Sequence, residues 1–181
     1  MRLIITLEPL VDLDYDYIKK HTLQGLIYSL LSDTGYKCLH ESNRFKFFCF
    51  SDIFPIGDFR RGEQKRLLVS SPERGLINAL HDSIKEKKLA DIGHYPFKLS
   101  SRKVELKLKR RFITGSPVVL YKDNQTNTYF SFSRDGDLSF FLDRVKENAL
   151  KKYNAFYYDE FSFEGPIFDR LHFRRDVAVS N

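Results

Sequence analysis

The chain of 181 residues contains no tryptophan and only two cysteines, Cys38 and Cys49. Two thiols cannot make a disulfide framework, so the fold must come from burial of apolar side chains, and a reducing interior is expected. Cys38, His40 and Cys49 bring thiol and imidazole groups near one another in sequence, but a closed zinc site wants four ligands at more regular spacing, so no metal is expected. No apolar run approaches membrane-spanning length, and the opening "MRLIITLEPL" meets acidic residues too soon for a signal peptide. A soluble, cytoplasmic protein is expected.

What is present points to a globular domain with a basic bias. Apolar residues make 42% and charged residues 30%, with 17 phenylalanines and 10 tyrosines, a composition that can bury a core and argues against disorder. Lysine and arginine number 30 against 24 acids, a formal charge of +6, which makes a polyanion a reasonable partner without specifying one.

Periodicity orders the first half as βαββα. Arg2 to Leu7 reads as a strand, and Leu23, Leu26, Ile27, Leu30 and Leu31 recur at helical spacing, with Thr22 as the expected cap. At about 100° per residue Tyr28 falls well off the middle of that apolar stripe, with His21 on the same flank two turns earlier, so Tyr28 is free for other work. Phe45 to Phe50 and Arg66 to Ser71 read as strands. Pro72 then opens a second helix with Leu76, Ile77, Leu80 and Ile84 on one face. A further strand over residues 95–109 would complete a ferredoxin-like, RRM-like βαββαβ unit over residues 1–109, an α+β fold.

From Lys98 in that last strand to Arg111 just beyond it there are seven bases, Lys98, Arg102, Lys103, Lys107, Lys109, Arg110 and Arg111, against one acid, Glu105. Val104, Leu106 and Leu108 alternate with charged neighbours, so an anchored apolar face backed by a cationic one is expected. Such a face suits RNA phosphates; its bland reading is a solvated strand. Residues 110–181 read as a second, incomplete ferredoxin-like domain: "FITGSPVVLY" and "TYFSFS" as strands about a turn, a helix after Asp137 built on Leu138, Phe141, Leu142, Val145 and Ala149, and an extended aromatic stretch from Phe156 to Phe173.

"LQGLIYSLL" (residues 23–31) followed by "LHESNRFKFFCFSDIF" (39–54) resembles the CRISPR-associated endoribonucleases of the ferredoxin-like RAMP superfamily, which cut precursor guide RNA within its repeats. The resemblance implies Tyr28, His40 and Lys46 as the catalytic residues, no cofactor, and 2′,3′-cyclic phosphate and 5′-hydroxyl products. The residue types suit that chemistry on their own. RNA carries its own nucleophile in the 2′-hydroxyl, an imidazole can move protons near neutral pH, and an ammonium can stabilise a phosphorane. His21 is a candidate substitute acid or base, whereas His81, His94 and His172 read as structural or exposed. The resemblance also implies a terminal glycine-rich loop, yet beyond Gly136 only Gly165 precedes Asn181. A shortened second domain with a weaker hold on RNA is therefore expected. Two alternatives remain: a binding-only relative that retains repeat RNA or delivers it to a CRISPR effector complex, and a protein-interaction module.

Overall fold

A computed structural model of the protein describes residues 1–41, 45–105, 118–123, 125–126, 128–168 and 170. The chain divides into two compact units, Met1–Leu108 and Lys109–Asn181. In the first, β1 (Arg2–Pro9), α1 (Lys20–Leu31), β2 (Cys49–Phe50), β3 (Lys65–Ser70), α2 (Arg74–Lys87), β4 (Leu89–Ile92) and β5 (Tyr95–Val104) build one five-stranded sheet in the order β2-β3-β1-β5-β4. All its pairings are antiparallel. With β5 as the fourth strand, this is the ferredoxin-like order, extended at one edge by β4.

Alternation within the strands decides which sheet face the helices cover. Leu3, Ile5 and Leu7 of β1, Leu67 and Val69 of β3, and Phe97 and Leu99 of β5 are buried against Leu23, Leu26, Ile27, Leu30 and Leu31 of α1 and Leu76, Ile77, Leu80 and Ile84 of α2. Every apolar position expected from the two helical stripes is thus in the core, and each full burial of such a side chain is worth about 1.5–3 kcal/mol.

Several local expectations are corrected. Lys19, not Thr22, precedes the first turn of α1, and the Thr22 hydroxyl donates back to the Lys19 carbonyl at 2.6 Å. The segment from Phe45 to Phe48 is not a strand: the Phe48 N–H turns back to the Lys46 carbonyl at 2.8 Å, and regular pairing starts only at Cys49. Pro72 stands two residues ahead of the first helical residue, Arg74. The strand β4, which periodicity does not predict, forms a hairpin with β5 around Gly93, whose φ of 66° lies in the left-handed region that glycine tolerates.

The parity of β5 is also opposite to expectation. Phe97 and Leu99 point to the helices, so Ser101 and Lys103 share their side, while Lys98, Arg102 and Val104 lie on the other. Val104 is therefore not part of the anchored face. Lys65 is an unanticipated core lysine, only 3% exposed, at the end of β3 where the parity points inward. Its ammonium donates to the Pro55 carbonyl at 2.9 Å and to the Gly57 carbonyl, and lies 4.7 Å from the centre of the Phe59 ring. Desolvation lowers its pKa, and the two carbonyls supply the bonds that burial took away.

The second unit holds a hairpin of β6 (Tyr121–Asp123) and β7 (Thr128–Tyr129), a short helix α3 (Phe132–Asp135) and a long helix α4 (Leu138–Tyr157). The helix α4 starts after Asp137 as expected, and Asp137 caps it by accepting the Ser139 N–H at 2.9 Å. The "TYFSFS" strand is shorter than expected because Asp135 gathers the Ser131 N–H, Lys122 and Arg134, winding the chain into α3. These partners hold the Asp135 carboxyl well below its usual range, the Lys122 bond contributing most. Of the aromatic stretch, Phe156 and Tyr157 end α4, and the described residues after Tyr158 have no helix or strand. Residues 112–117 of "FITGSPVVLY" lie outside the described residues.

Candidate active site

Tyr28, His40 and Lys46 come together beside the carboxyl-terminal half of α1. Because Ile27 and Leu31 take the core-facing positions on either side of it in sequence, Tyr28 projects from the flank of the helix and is half-buried. The chain leaves α1 through two hydrogen-bonded turns, Thr34 to Leu31 and Lys37 to Thr34, and tightens into a 3-10 turn, Lys37–Leu39, at whose end stands His40. Leu39 packs on the core and leaves His40 exposed. The imidazole meets the Tyr28 ring edge-on, with centroids 4.8 Å apart and planes at 87°.

Lys46 closes the group from the other side. Its ammonium lies 5.5 Å from the centre of the Tyr28 ring and donates to the His40 carbonyl at 3.3 Å. One cation thus touches both other members, through a ring face and through a backbone oxygen. Phe48 completes the wall, edge-on to Tyr28 with centroids 6.1 Å apart. Gln24, one turn before Tyr28 on α1, donates its amide to the phenol oxygen at 3.3 Å. Accepting that bond leaves the phenol its own proton to donate. Gln24 was missed as a site residue, although its i, i+4 spacing to Tyr28 on the same helix flank is a readable signal.

The remaining candidates are dispersed. His21 is exposed in the first turn of α1, two turns from Tyr28, and among the described residues no ring contact joins it to the cluster. Lys98 and Arg102 share the helix-free face of the sheet with Arg2 and Arg66, although Lys98 lies 3.8 Å from the Glu8 carboxylate. Lys103 is on the opposite face and donates to Asn78 of α2 at 3.0 Å. Lys107, Lys109, Arg110 and Arg111, and also His172, lie outside the described residues. His81 is buried, with Nδ1 2.7 Å from the Ser101 hydroxyl, while His94 is exposed in the β4–β5 turn. Cys38 and Cys49 are both free and exposed.

The helices among the described residues include none long and apolar enough to cross a membrane. Residues 100–180 match the family profile described as CRISPR associated protein Cas6, C-terminal. The profile match thus falls in the half where the sequence motifs were sparser. Over 173 residues the chain is 49% identical to the CRISPR-associated endoribonuclease Cas6 2 of Methanocaldococcus jannaschii, covering 94% of this chain and 72% of that protein. It is 26% identical over 99 residues to the CRISPR-associated endoribonuclease Cas6 of Haloferax mediterranei, covering 55% and 37%. A solved structure described as CRISPR associated protein Cas6 superposes with a TM-score of 0.63 at 23% identity, over 89% of this chain and 73% of that one, and supports the ferredoxin-like fold. Sequence identity at the level and over the length shared with the Methanocaldococcus protein places this chain in the family of CRISPR-associated Cas6 endoribonucleases.

Proposed function

We propose that this protein is an endoribonuclease that cuts CRISPR repeat RNA without a metal ion, during maturation of guide RNA. In the proposed reaction the 2′-oxygen attacks the adjacent phosphorus, the bond from phosphorus to the 5′-oxygen breaks, and the fragments carry a 2′,3′-cyclic phosphate and a 5′-hydroxyl. Two protons must move, one off the 2′-hydroxyl and one onto the departing 5′-oxygen. His40 is assigned the acid–base work. Tyr28 orients the hydroxyl or shares the transfer, with Gln24 donating to the phenol oxygen. Lys46 offsets the charge that builds on the phosphorane oxygens. Lys98 and Arg102 are assigned to RNA phosphates.

The observation that carries this reading is the gathering of the three residues around the Tyr28 ring, which meets the His40 imidazole edge-on and the Lys46 ammonium at its face. An imidazole and an ammonium, twelve and eighteen residues from the phenol in sequence, both contact its ring on an accessible surface, and the ammonium also donates to the backbone carbonyl of His40. A core-packing role would not leave His40 and Lys46 exposed. The kinship with named endoribonucleases supports the reaction class.

The test is cleavage of repeat RNA in excess chelator, beside a substrate with hydrogen in place of the 2′-hydroxyl at the cut site. Cleavage is expected to survive chelation and to stop with the deoxy substrate. Binding without cutting would instead support a repeat-RNA-binding relative, and cleavage of the deoxy substrate would refute 2′-hydroxyl attack.

A further inference from the structure

We propose that Tyr36, Ser71 and Glu73 form a two-armed clamp that fixes the segment bearing His40 and Lys46 against the start of α2, acting as positioning residues for RNA cleavage. The proposal rests on the assignment of His40 and Lys46 made above. Among the described residues of that segment most side chains are exposed, including Lys37, Cys38, His40, Glu41, Phe45 and Lys46. Among the described residues of the segment, apolar packing on the core comes from the Tyr36 ring, Leu39 and Phe48. Polar anchors must supply the rest, and they occur on both sides of the two functional residues.

The first arm precedes His40 by four residues. The Tyr36 hydroxyl donates to Glu73 Oε1 at 2.7 Å, a bond strengthened by the carboxylate charge. Glu73 stands just before α2, yet its side chain makes no capping bond to that helix, so the carboxylate is left for Tyr36. Burial, and then the Glu73 bond, push the phenol up to about 12, which keeps it a donor under ordinary conditions. Gly75 makes the seat. A Cβ there would run into the Tyr36 hydroxyl, while the next ring atom, Cζ, would stand at an ordinary 3.6 Å.

The second arm follows Lys46 by one residue. Ser71, 4% exposed, donates its hydroxyl to the Phe47 carbonyl at 2.6 Å and accepts the Glu73 N–H at 3.0 Å. Ser71 and Glu73 are therefore linked to each other, and together they grip the segment at residues 36 and 47. Between those points the Lys46 ammonium donates to the His40 carbonyl. Displacing a catalytic group by about 1 Å can cost a hundredfold in rate, so loosening either arm should be felt at the chemistry.

Tyr36→Phe and Gly75→Ala give the decisive pair, read by single-turnover cleavage of repeat RNA and by the His40 imidazole proton resonances in the RNA-free protein. Those resonances report position because the imidazole sits edge-on to the Tyr28 ring. Each variant is expected to move them and to slow cleavage roughly 10- to 100-fold, with RNA affinity nearly unchanged. Helix propensity alone would favour Gly75→Ala, but the hydroxyl collision should make it harmful. Once Tyr36→Phe has removed that hydroxyl, adding Gly75→Ala should cost nothing more. Glu73→Gln, which keeps an acceptor oxygen, should retain more activity than Glu73→Ala. Variants that melt earlier but leave the His40 resonances and the cleavage rate untouched would overturn the clamp, as would additive losses in the double variant. His40→Ala run alongside separates the two claims: if it cuts like the wild type, the assignment of the site itself fails, and if it is inactive while Tyr36→Phe is unaffected, only the clamp fails.

Discussion

Replacing His40 by alanine should remove chemistry while leaving the fold and the RNA hold largely intact. The imidazole is exposed, so its loss opens no cavity in the core. What it gives up within the protein is one edge-on ring contact with Tyr28, worth about 0.5–1.5 kcal/mol for a well-packed pair and less at a surface. The Lys46 anchor survives, because it is the backbone carbonyl of residue 40 that accepts it. In the complex, one hydrogen bond to RNA is at stake, about 1 kcal/mol or roughly a fivefold change in affinity. General acid–base catalysis contributes about 10²- to 10⁴-fold, which at 1.36 kcal/mol per tenfold is about 2.7–5.4 kcal/mol of barrier. The rate loss should therefore exceed the binding loss by more than tenfold. Single-turnover cleavage with enzyme in excess, beside a direct binding titration at the same salt, measures both. Exogenous imidazole should partly restore cutting, since the vacated position is open to solvent. Equal losses of rate and affinity, or no rescue together with a collapse in thermal stability, would refute the acid–base assignment.

Three other outcomes follow from the placement of side chains. Changing Lys98 and Arg102 together to alanine should weaken RNA binding and flatten its dependence on salt, by a log–log slope of about 0.7 for each single-strand phosphate that is no longer neutralised; Lys103→Ala, on the opposite face and held by Asn78, should leave that slope unchanged. His81 has a pKa held below its ordinary 6.5 by burial and then by Lys85 and Lys103. As pH falls below about 6.5 the unfolded chain takes up a proton that the folded one refuses, so stability should drop in that window and be unaffected by this group above it; thermal melts of His81→Gln should lack the drop. Leu30→Ala, at a position 1% exposed in α1, should cost about 2–5 kcal/mol in a denaturant titration and lower cleavage only through the folded fraction.

The helices were legible because the signal that marks them is local. Spacing of Leu23, Leu26, Ile27, Leu30 and Leu31 fixes which side of α1 is buried, and that in turn fixes Tyr28 on the flank. The edge strand β4 gave no such signal: it buries one residue, Ile92, and exposes Leu89 and Asp91. The aromatic run from Phe45 to Phe48 gave a false one, since β propensity describes side chains that fit a half-buried pleat, and here the ring of Phe48 is used to wall Tyr28 instead. Charge could not be assigned a side from composition. Lys103 and Arg102 are neighbours in sequence, yet the inward parity of Phe97 and Leu99 sends them to opposite faces of the sheet. The buried Lys65 was equally hidden, because its partners are backbone carbonyls with no residue signature.

The site shows the same division between local and distant causes. Tyr28 and Gln24 owe their relation to one helical turn, but the residues flanking His40 and Lys46, Tyr36 and Phe47, are hydrogen-bonded to residues 37 and 24 positions away in sequence. A site that must admit a polymer cannot be a closed pocket, and in an open one water weakens each electrostatic contact. Precision then has to come from how firmly the backbone holds each group. A phenol on a helix needs no further help, whereas an imidazole and an ammonium on a loop do. The dense hydrogen bonding at Ser71 and Glu73, in the connection between β3 and α2, is what the proposed roles of His40 and Lys46 would require.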